Sequence, residues 1–264
     1  MESAAGARTF QTSGNAYDLF MGRYSRPLAF VFADAAGVAH GQVGLDIGCG
    51  PGALTSVLVE HLGAGSVAAF DPSPPFVAEC AARHPGVDVR LGAAESMPFD
   101  DSLFDCALAQ LVLHFVTDPP TVGTELRRVL RPGGVAALCV WDFAEEMQML
   151  RAFWNAANAI DSNAPDEART LRFGGEGEIV EFLTNAGFER VVGTTLSVSS
   201  TYENFAELWS GFLAGIGPAG SYCLSLPDQQ RQAVRDEMFT QLGSPTGSFT
   251  LSASARCATG RSPS

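Results

Sequence analysis

Three glycines and two carboxylates stand together near the start of the regular part of this 264-residue chain, in Val43-Gly44-Leu45-Asp46-Ile47-Gly48-Cys49-Gly50-Pro51-Gly52 and in Asp71, which closes the next apolar run. Glycines between a strand and a helix bring backbone N–H groups and a helix N-terminus up to a nucleotide-like ligand at the carboxyl edge of a sheet. The acids decide which ligand. Gly48, Gly50 and Ala53 satisfy the G-x-G-x-x-G/A pattern, with Asp71 at a distance suited to ribose hydroxyls, so the glycines alone permit NAD.

Asp46 argues against a dinucleotide. It ends a buried strand two residues before Gly48, where an uncompensated carboxylate repels a pyrophosphate and is costly to desolvate. S-adenosylmethionine supplies the missing cation: its ammonium and sulfonium are positive and its nucleoside carries no phosphate. The Pro51-Gly52 pair stiffens the turn and then opens it.

These residues need a frame. Short apolar runs at 43–47, 66–70, 87–91 and 104–113 alternate with segments of helical period, the signature of a parallel sheet covered on both faces by helices. Leu54, Val57, Leu58 and Leu62 give one helix its apolar face, and Gly63 and Gly65 end it. Ser73-Pro74 and Asp118-Pro119 read as N-caps with a first-turn proline, and Arg131-Pro132-Gly133-Gly134 turns the chain into a fifth strand.

Beyond Trp141 the alternation loosens. Helices are expected at 145–160, 176–186, 203–214 and 227–242, with strands at 188–198 and over the alternating Phe249, Leu251, Ala253 and Ala255. The polar tail 256–264 is expected to fray. Residues 43–142 form the cofactor-binding core of this reading, and 1–42 with 143–264 supply a helical cap and the C-terminal strands of the same single domain.

Asp46-Ile47-Gly48-Cys49-Gly50-Pro51-Gly52 resembles the first motif of the class I S-adenosylmethionine-dependent methyltransferases. The likeness continues through Gly92-Ala93-Ala94-Glu95-Ser96-Met97-Pro98-Phe99, Phe104-Asp105 and Leu130-Arg131-Pro132-Gly133-Gly134, and its style is that of the small-molecule enzymes of ubiquinone and menaquinone biosynthesis. The resemblance implies a Rossmann-like, doubly wound seven-stranded α/β sheet whose last strand is reversed. It also implies methyl transfer from S-adenosylmethionine to a small organic acceptor, giving S-adenosylhomocysteine.

Carried over by position, the resemblance puts Gly48 and Gly50 along the methionine and ribose, with Cys49, Gly52 and Pro72 beside them, and Asp46 at the methionine end. Asp71 takes the ribose hydroxyls, Ala94 and Glu95 flank the adenine, and Gln110 ends strand four against the cofactor. Ala93 departs from the pattern, since many relatives have Asp there to meet the adenine amine.

Tyr17, Phe20, Met21 and Tyr24 recur at helical spacing; the resemblance implies that such an N-terminal helix closes over the cofactor, the alternative being packing on the sheet, and its Arg23 either pairs with the methionine carboxylate or is a surface charge. His114, after strand four, is the candidate catalytic base, with a pocket-lining role as the alternative. Asp142 is a weaker candidate for the same task.

A net charge of −13 with only 16 basic residues, none in a run, argues against nucleic acid or an anionic membrane as partner. No apolar run is long enough to span a bilayer, so a cytoplasmic monomer or homodimer is expected. The six scattered cysteines and the histidines show no metal-ligand spacing, so no metal is expected. Two rival readings are an NAD-dependent oxidoreductase and a cofactor-binding module without catalysis. Whether oxygen, nitrogen or carbon receives the methyl group is open.

Overall fold

A computed structural model of the chain describes residues 18–264; Tyr17 lies outside the described residues. After a π-helical turn at Asp18–Gly22, the order is α1 (Arg23–Ala35), β1 (Gly44–Ile47), α2 (Ala53–Leu62), β2 (Val67–Asp71), α3 (Pro74–Arg83), β3 (Asp88–Leu91), β4 (Phe104–Gln110), α4 (Pro119–Val129) and β5 (Leu130–Trp141). The rest comprises α5 (Gln148–Ile160), α6 (Glu167–Thr170), α7 (Glu178–Asn185), β6 (Glu189–Tyr202), α8 (Phe205–Leu213), α9 (Gly217–Ser225), α10 (Asp228–Gln241) and β7 (Phe249–Arg261).

The seven strands form one sheet in the order β3-β2-β1-β4-β5-β7-β6. Parallel pairing joins β3, β2, β1, β4 and β5, while β7 runs antiparallel to both β5 and β6. Central parallel strands are covered on both faces and read as unbroken apolar runs; β1 and β2 are buried at every position. Strand order reverses between β1 and β4, which opens a crevice at their carboxyl ends. The glycine turn and Gln110 both sit there.

One face of the sheet buries Phe32, Leu58, Phe153, Trp154 and Phe212 from α1, α2, α5 and α8. The other buries Phe70, Phe104, Leu126, Leu138 and Leu183, with α4 and α7 as its cover. The apolar stripe of α8 is core: Phe205, Leu208, Trp209 and Phe212 are buried and only Leu213 is exposed. Phe212 stacks on Phe153 at 4.4 Å and meets Phe20 edge-on at 5.2 Å, so the N-terminal segment is docked on this helical layer.

Three local expectations are corrected. Residues 256–261 are ordered in β7, whose pairing with both β5 and β6 uses backbone groups and so does not need large side chains. Strand β4 stops at Gln110, because Leu111 takes a left-handed backbone (φ 63°) and the chain turns into Leu113–Phe115. Ser73 makes no side-chain cap; its N–H is bound instead by Asp71. Asp118 does cap its helix, through Thr121. The four-residue α6 is too short for a periodic signal, and α9, Gly-Pro-Ala-Gly-Ser-Tyr-Cys-Leu-Ser, carries small and polar residues in place of an apolar stripe.

Candidate functional site

The turn after β1 depends on its glycines. Gly48, Gly50 and Gly52 have φ of 66°, 52° and 98°, a backbone that side chains disfavour. A Cβ on Gly48 would lie 2.6 Å from Val112 Cγ2, and one on Gly52 2.5 Å from the His84 ring. At Gly50 nothing lies within 4 Å, which leaves its backbone open to a ligand.

Two buried acids support the turn. Asp71 accepts from Gly50 N–H at 2.9 Å and from Ser73 N–H at 2.8 Å. Burial pushes its pKa up to about 6, against the pull of those two donors. Asp46 lies deeper, accepts from Thr55 Oγ1 at 2.6 Å, and is raised to about 7 by burial and by the nearby Asp71. Both carboxylates therefore sit where a positive charge is wanted.

A cleft of about 770 Å³ of empty space, including its mouth, opens over this turn. Gly48, Gly50, Asp71, Pro72, Ala94, Glu95 and Gln110, all singled out from the sequence, line it. Phe70, Phe76, Val112 and Phe115 add apolar walls suited to a flat base, and nothing in their spacing marks them. Glu95 is partly committed: its Oε1 accepts from Thr117 N–H and Oγ at 2.8 and 3.0 Å. Gln110 Nε2 donates to the Ser25 carbonyl at 2.8 Å, while its buried Oε1 has no partner.

Four expected cofactor contacts are not on the cleft wall. Asp46 lies beneath the turn, and Gly52 is packed against His84 and Cys80. Cys49 is buried in a small cluster with Cys80, and the neighbouring thiol and burial push its pKa up, so it is no nucleophile. Arg23 is held by Glu207 at 2.8 Å and by the Thr201 carbonyl, with its guanidinium 4.0 Å above the Tyr202 ring. That guanidinium is tied to the far end of β6 and α8, which corrects the expectation of a carboxylate partner in the cofactor.

A second, tighter pocket, about 450 Å³ only when the open space at its mouth is included, shares Leu111 and Phe115 with the cleft. Its walls are mostly apolar, among them Phe20, Met21, Phe143 and Ile216. His114 lines it, 7% exposed, edge-on to Phe143 at 5.2 Å, with Nδ1 unpartnered. Burial lowers the imidazole to about 3, so it is neutral near pH 7 and a weak proton acceptor. The buried Trp141, on the same wall, has an unpartnered Nε1.

The residue that sequence reasoning missed is Glu167, at the start of α6. It lines this pocket at 5% exposure, accepts from Trp154 Nε1 at 2.7 Å, and is raised to about 7 by burial. No motif surrounds it, so no local signal announces it. Asp142 is withdrawn from acid–base work: Arg256 holds its Oδ2 at 2.7 Å and the Ala144 and Glu145 N–H groups hold its Oδ1.

The residues present suit a cationic nucleoside. Asp71 offers an acceptor at the end of β2, Gln110 Oε1 lacks a donor, Gly50 leaves room for close approach, and the aromatic walls match a flat base.

Comparison with known proteins agrees. A family described as a methyltransferase domain matches residues 45–138. The chain is 38% identical over 114 residues to an uncharacterized 37.1 kDa protein in a transposon of Streptomyces fradiae, covering 42% of this chain and 33% of that one. It is 35% identical over 127 residues to the malonyl-[acyl-carrier protein] O-methyltransferase of Salmonella typhimurium, covering 47% of this chain and 49% of the relative. These matches thus span a third to a half of the relatives' lengths. A crystal structure of a candidate methyltransferase from Bacillus halodurans shares the fold at 17% identity and a TM-score of 0.59, over 89% of this chain and 99% of the other. Glycine turn, strand order and cleft agree with these comparisons: residues 45–138 match a methyltransferase domain, on a fold shared with a solved candidate methyltransferase.

Proposed function

We propose that the protein transfers a methyl group from S-adenosylmethionine to a small organic acceptor. The observation that carries this reading is that a cleft lined by Gly48, Gly50, Asp71 and Gln110 and an apolar pocket lined by His114 and Glu167 are neighbours, with Leu111 and Phe115 lining both. When bound, S-adenosylmethionine supplies an electrophilic methyl group on a sulfonium.

Asp71 holds the ribose hydroxyls, Gln110 Oε1 receives a donor from the methionine end, and Phe70, Phe76, Val112 and Phe115 enclose the base. Asp46, beneath the turn, contributes negative charge without touching the ligand. The apolar second pocket excludes water and aligns the acceptor, an effect that in well-oriented systems lowers a barrier by roughly 7–11 kcal/mol.

The acidic chain, with 29 acidic against 16 basic residues, favours a small molecule over nucleic acid as the acceptor. No helix among the described residues is long and apolar enough to cross a membrane. Calorimetric titration with S-adenosylhomocysteine and with NADH tests the cofactor: binding of the former is expected, and binding of NADH alone overturns the reading. Incubation with S-adenosylmethionine and a metabolite extract, read by mass spectrometry for products heavier by one methylene, tests transfer.

A further inference from the structure

The pocket beyond Leu111 and Phe115 has a composition that selects among acceptors. None of its described lining residues is Arg or Lys. Its polar groups are a neutral imidazole with an unpartnered Nδ1, an indole N–H without a partner, and the Glu167 carboxyl. A carboxylate acceptor would enter beside Glu167, whose one nearby described cation, Arg151, is already paired with Asp166 at 2.6 Å and does not line the pocket, and buried like charges are costly. An amine has one lone pair, which cannot both accept from Trp141 and attack a methyl carbon. A hydroxyl oxygen has two lone pairs and one proton, so it can accept from the indole, attack, and lose its proton to a neighbouring base.

We infer that the acceptor is an uncharged, largely apolar molecule bearing a hydroxyl group, and that Glu167 takes the hydroxyl proton. This rests on the methyl-transfer reading above. The hydroxyl oxygen forms the new bond to the methyl carbon, and the sulfur keeps the electron pair of the bond that breaks. The O–H bond also breaks; its pair stays on oxygen and its proton goes to Glu167. A sulfonium and a carboxylate thereby become a neutral thioether and a neutral carboxylic acid, so no charge is left in the apolar pocket.

Glu167 is built in for such a task. Asp166, which accepts from Ala168 N–H at the start of α6, is paired with Arg151 of α5 at 2.6 Å, and Trp154 of the same helix donates to Glu167 Oε2. The helix α5 thus fixes the carboxyl from one side. Its position is set by packing and hydrogen bonds rather than by solvent.

The test uses the whole chain loaded with S-adenosylhomocysteine and two size-matched probes, 4-ethylphenol and 4-ethylbenzoate. Calorimetry is expected to show binding of the phenol and none of the benzoate. With S-adenosylmethionine, mass spectrometry over matched phenols, alcohols, carboxylic acids and primary amines is expected to show methyl ethers. Glu167→Gln, which still accepts from Trp154, is expected to keep S-adenosylhomocysteine binding and to slow ether formation by roughly 10²–10⁴-fold. Preferred binding of the benzoate, binding of neither probe, methyl esters or methylamines as the main products, or full ether formation by Glu167→Gln would each overturn the inference. Failure of the wild-type chain to bind S-adenosylhomocysteine would instead remove the methyl-transfer reading beneath it.

Discussion

The Asp71 carboxylate accepts the backbone N–H of Gly50 at 2.9 Å, which ties the end of β2 to the turn after β1. One side chain thus shapes the turn and faces the cleft. Asp71→Ala is expected to weaken S-adenosylhomocysteine binding by ~1.5–3 kcal/mol, the range for hydrogen bonds to a charged group. It also strips two backbone N–H groups of their acceptor, so the ligand-free protein should melt earlier. Asp71→Asn keeps one acceptor oxygen and should recover part of the melting loss but little of the affinity. Unchanged affinity in both variants would show that Asp71 does not hold the ribose.

Buried acids make stability depend on pH. Asp46 and Asp71 are raised to about 7 and about 6 by burial, above the ordinary carboxylate range. A raised acid binds its proton more tightly in the folded chain, so its contribution is fully present below the unfolded pKa and is lost as pH rises through the folded one. The ligand-free protein should therefore lose on the order of 2–4 kcal/mol between about pH 4 and pH 7 from Asp46 alone. Urea unfolding at several pH values checks this. Asp46→Asn should flatten the profile, and an equal slope in wild type and variant would refute the assignment.

The glycine turn should fail in two different ways. At Gly48 a Cβ meets Val112, a stiff β-branched side chain on the cleft wall, at 2.6 Å. Gly48→Ala should therefore distort the wall and reduce cofactor affinity. At Gly52 the clash is with His84, behind the turn, at φ 98°. Gly52→Ala should cost ~1–3 kcal/mol of stability, the usual scale for a residue forced into that backbone region. Thermal melts with and without S-adenosylhomocysteine separate the two effects.

Arg256 and Asp142 join β7 to the end of β5 by a pair that is buried on the acid side. Arg256→Met leaves that carboxylate with only two backbone donors. Breaking a buried pair costs about 3–5 kcal/mol, and the exposed flank of Arg256 lowers the expectation to ~2–4 kcal/mol. If Asp142 were instead a base for the acceptor, the variant would change turnover far more than stability.

Much of the core was legible because its physics is local. The run 43–47 had to be buried on both faces, Asp118 had to cap what followed, and the acid at 46 needed an explanation no dinucleotide gave. The acceptor side was not legible, because it is assembled from distant pieces: Phe20, His114, Trp141, Glu167 and Ile216 share a pocket without sharing any spacing. The tail at 256–261 was misread because a strand paired on both sides can be made of Arg, Cys, Ala, Thr and Gly. The sequence leaves Arg23 open between a carboxylate of the cofactor and the surface, because the carboxylate that does hold it, Glu207, lies 184 residues away.

Gln110 links the N-terminal helix to the cleft and offers the last test. Its Nε2 is spent on the Ser25 carbonyl of α1, which fixes the amide and leaves Oε1 as a buried acceptor without a donor. A buried unpaired carbonyl is costly, and a charged ammonium group arriving there would satisfy it. Gln110→Leu removes both bonds: it should loosen α1, seen as faster amide exchange over residues 23–28, and weaken S-adenosylhomocysteine binding by about 1.5–3 kcal/mol. Gln110→Glu keeps an acceptor but gives up the donor to Ser25, so it should loosen α1 while retaining affinity. Equal affinity loss in both variants would mean that Gln110 acts through the helix alone and that Oε1 meets no part of the ligand.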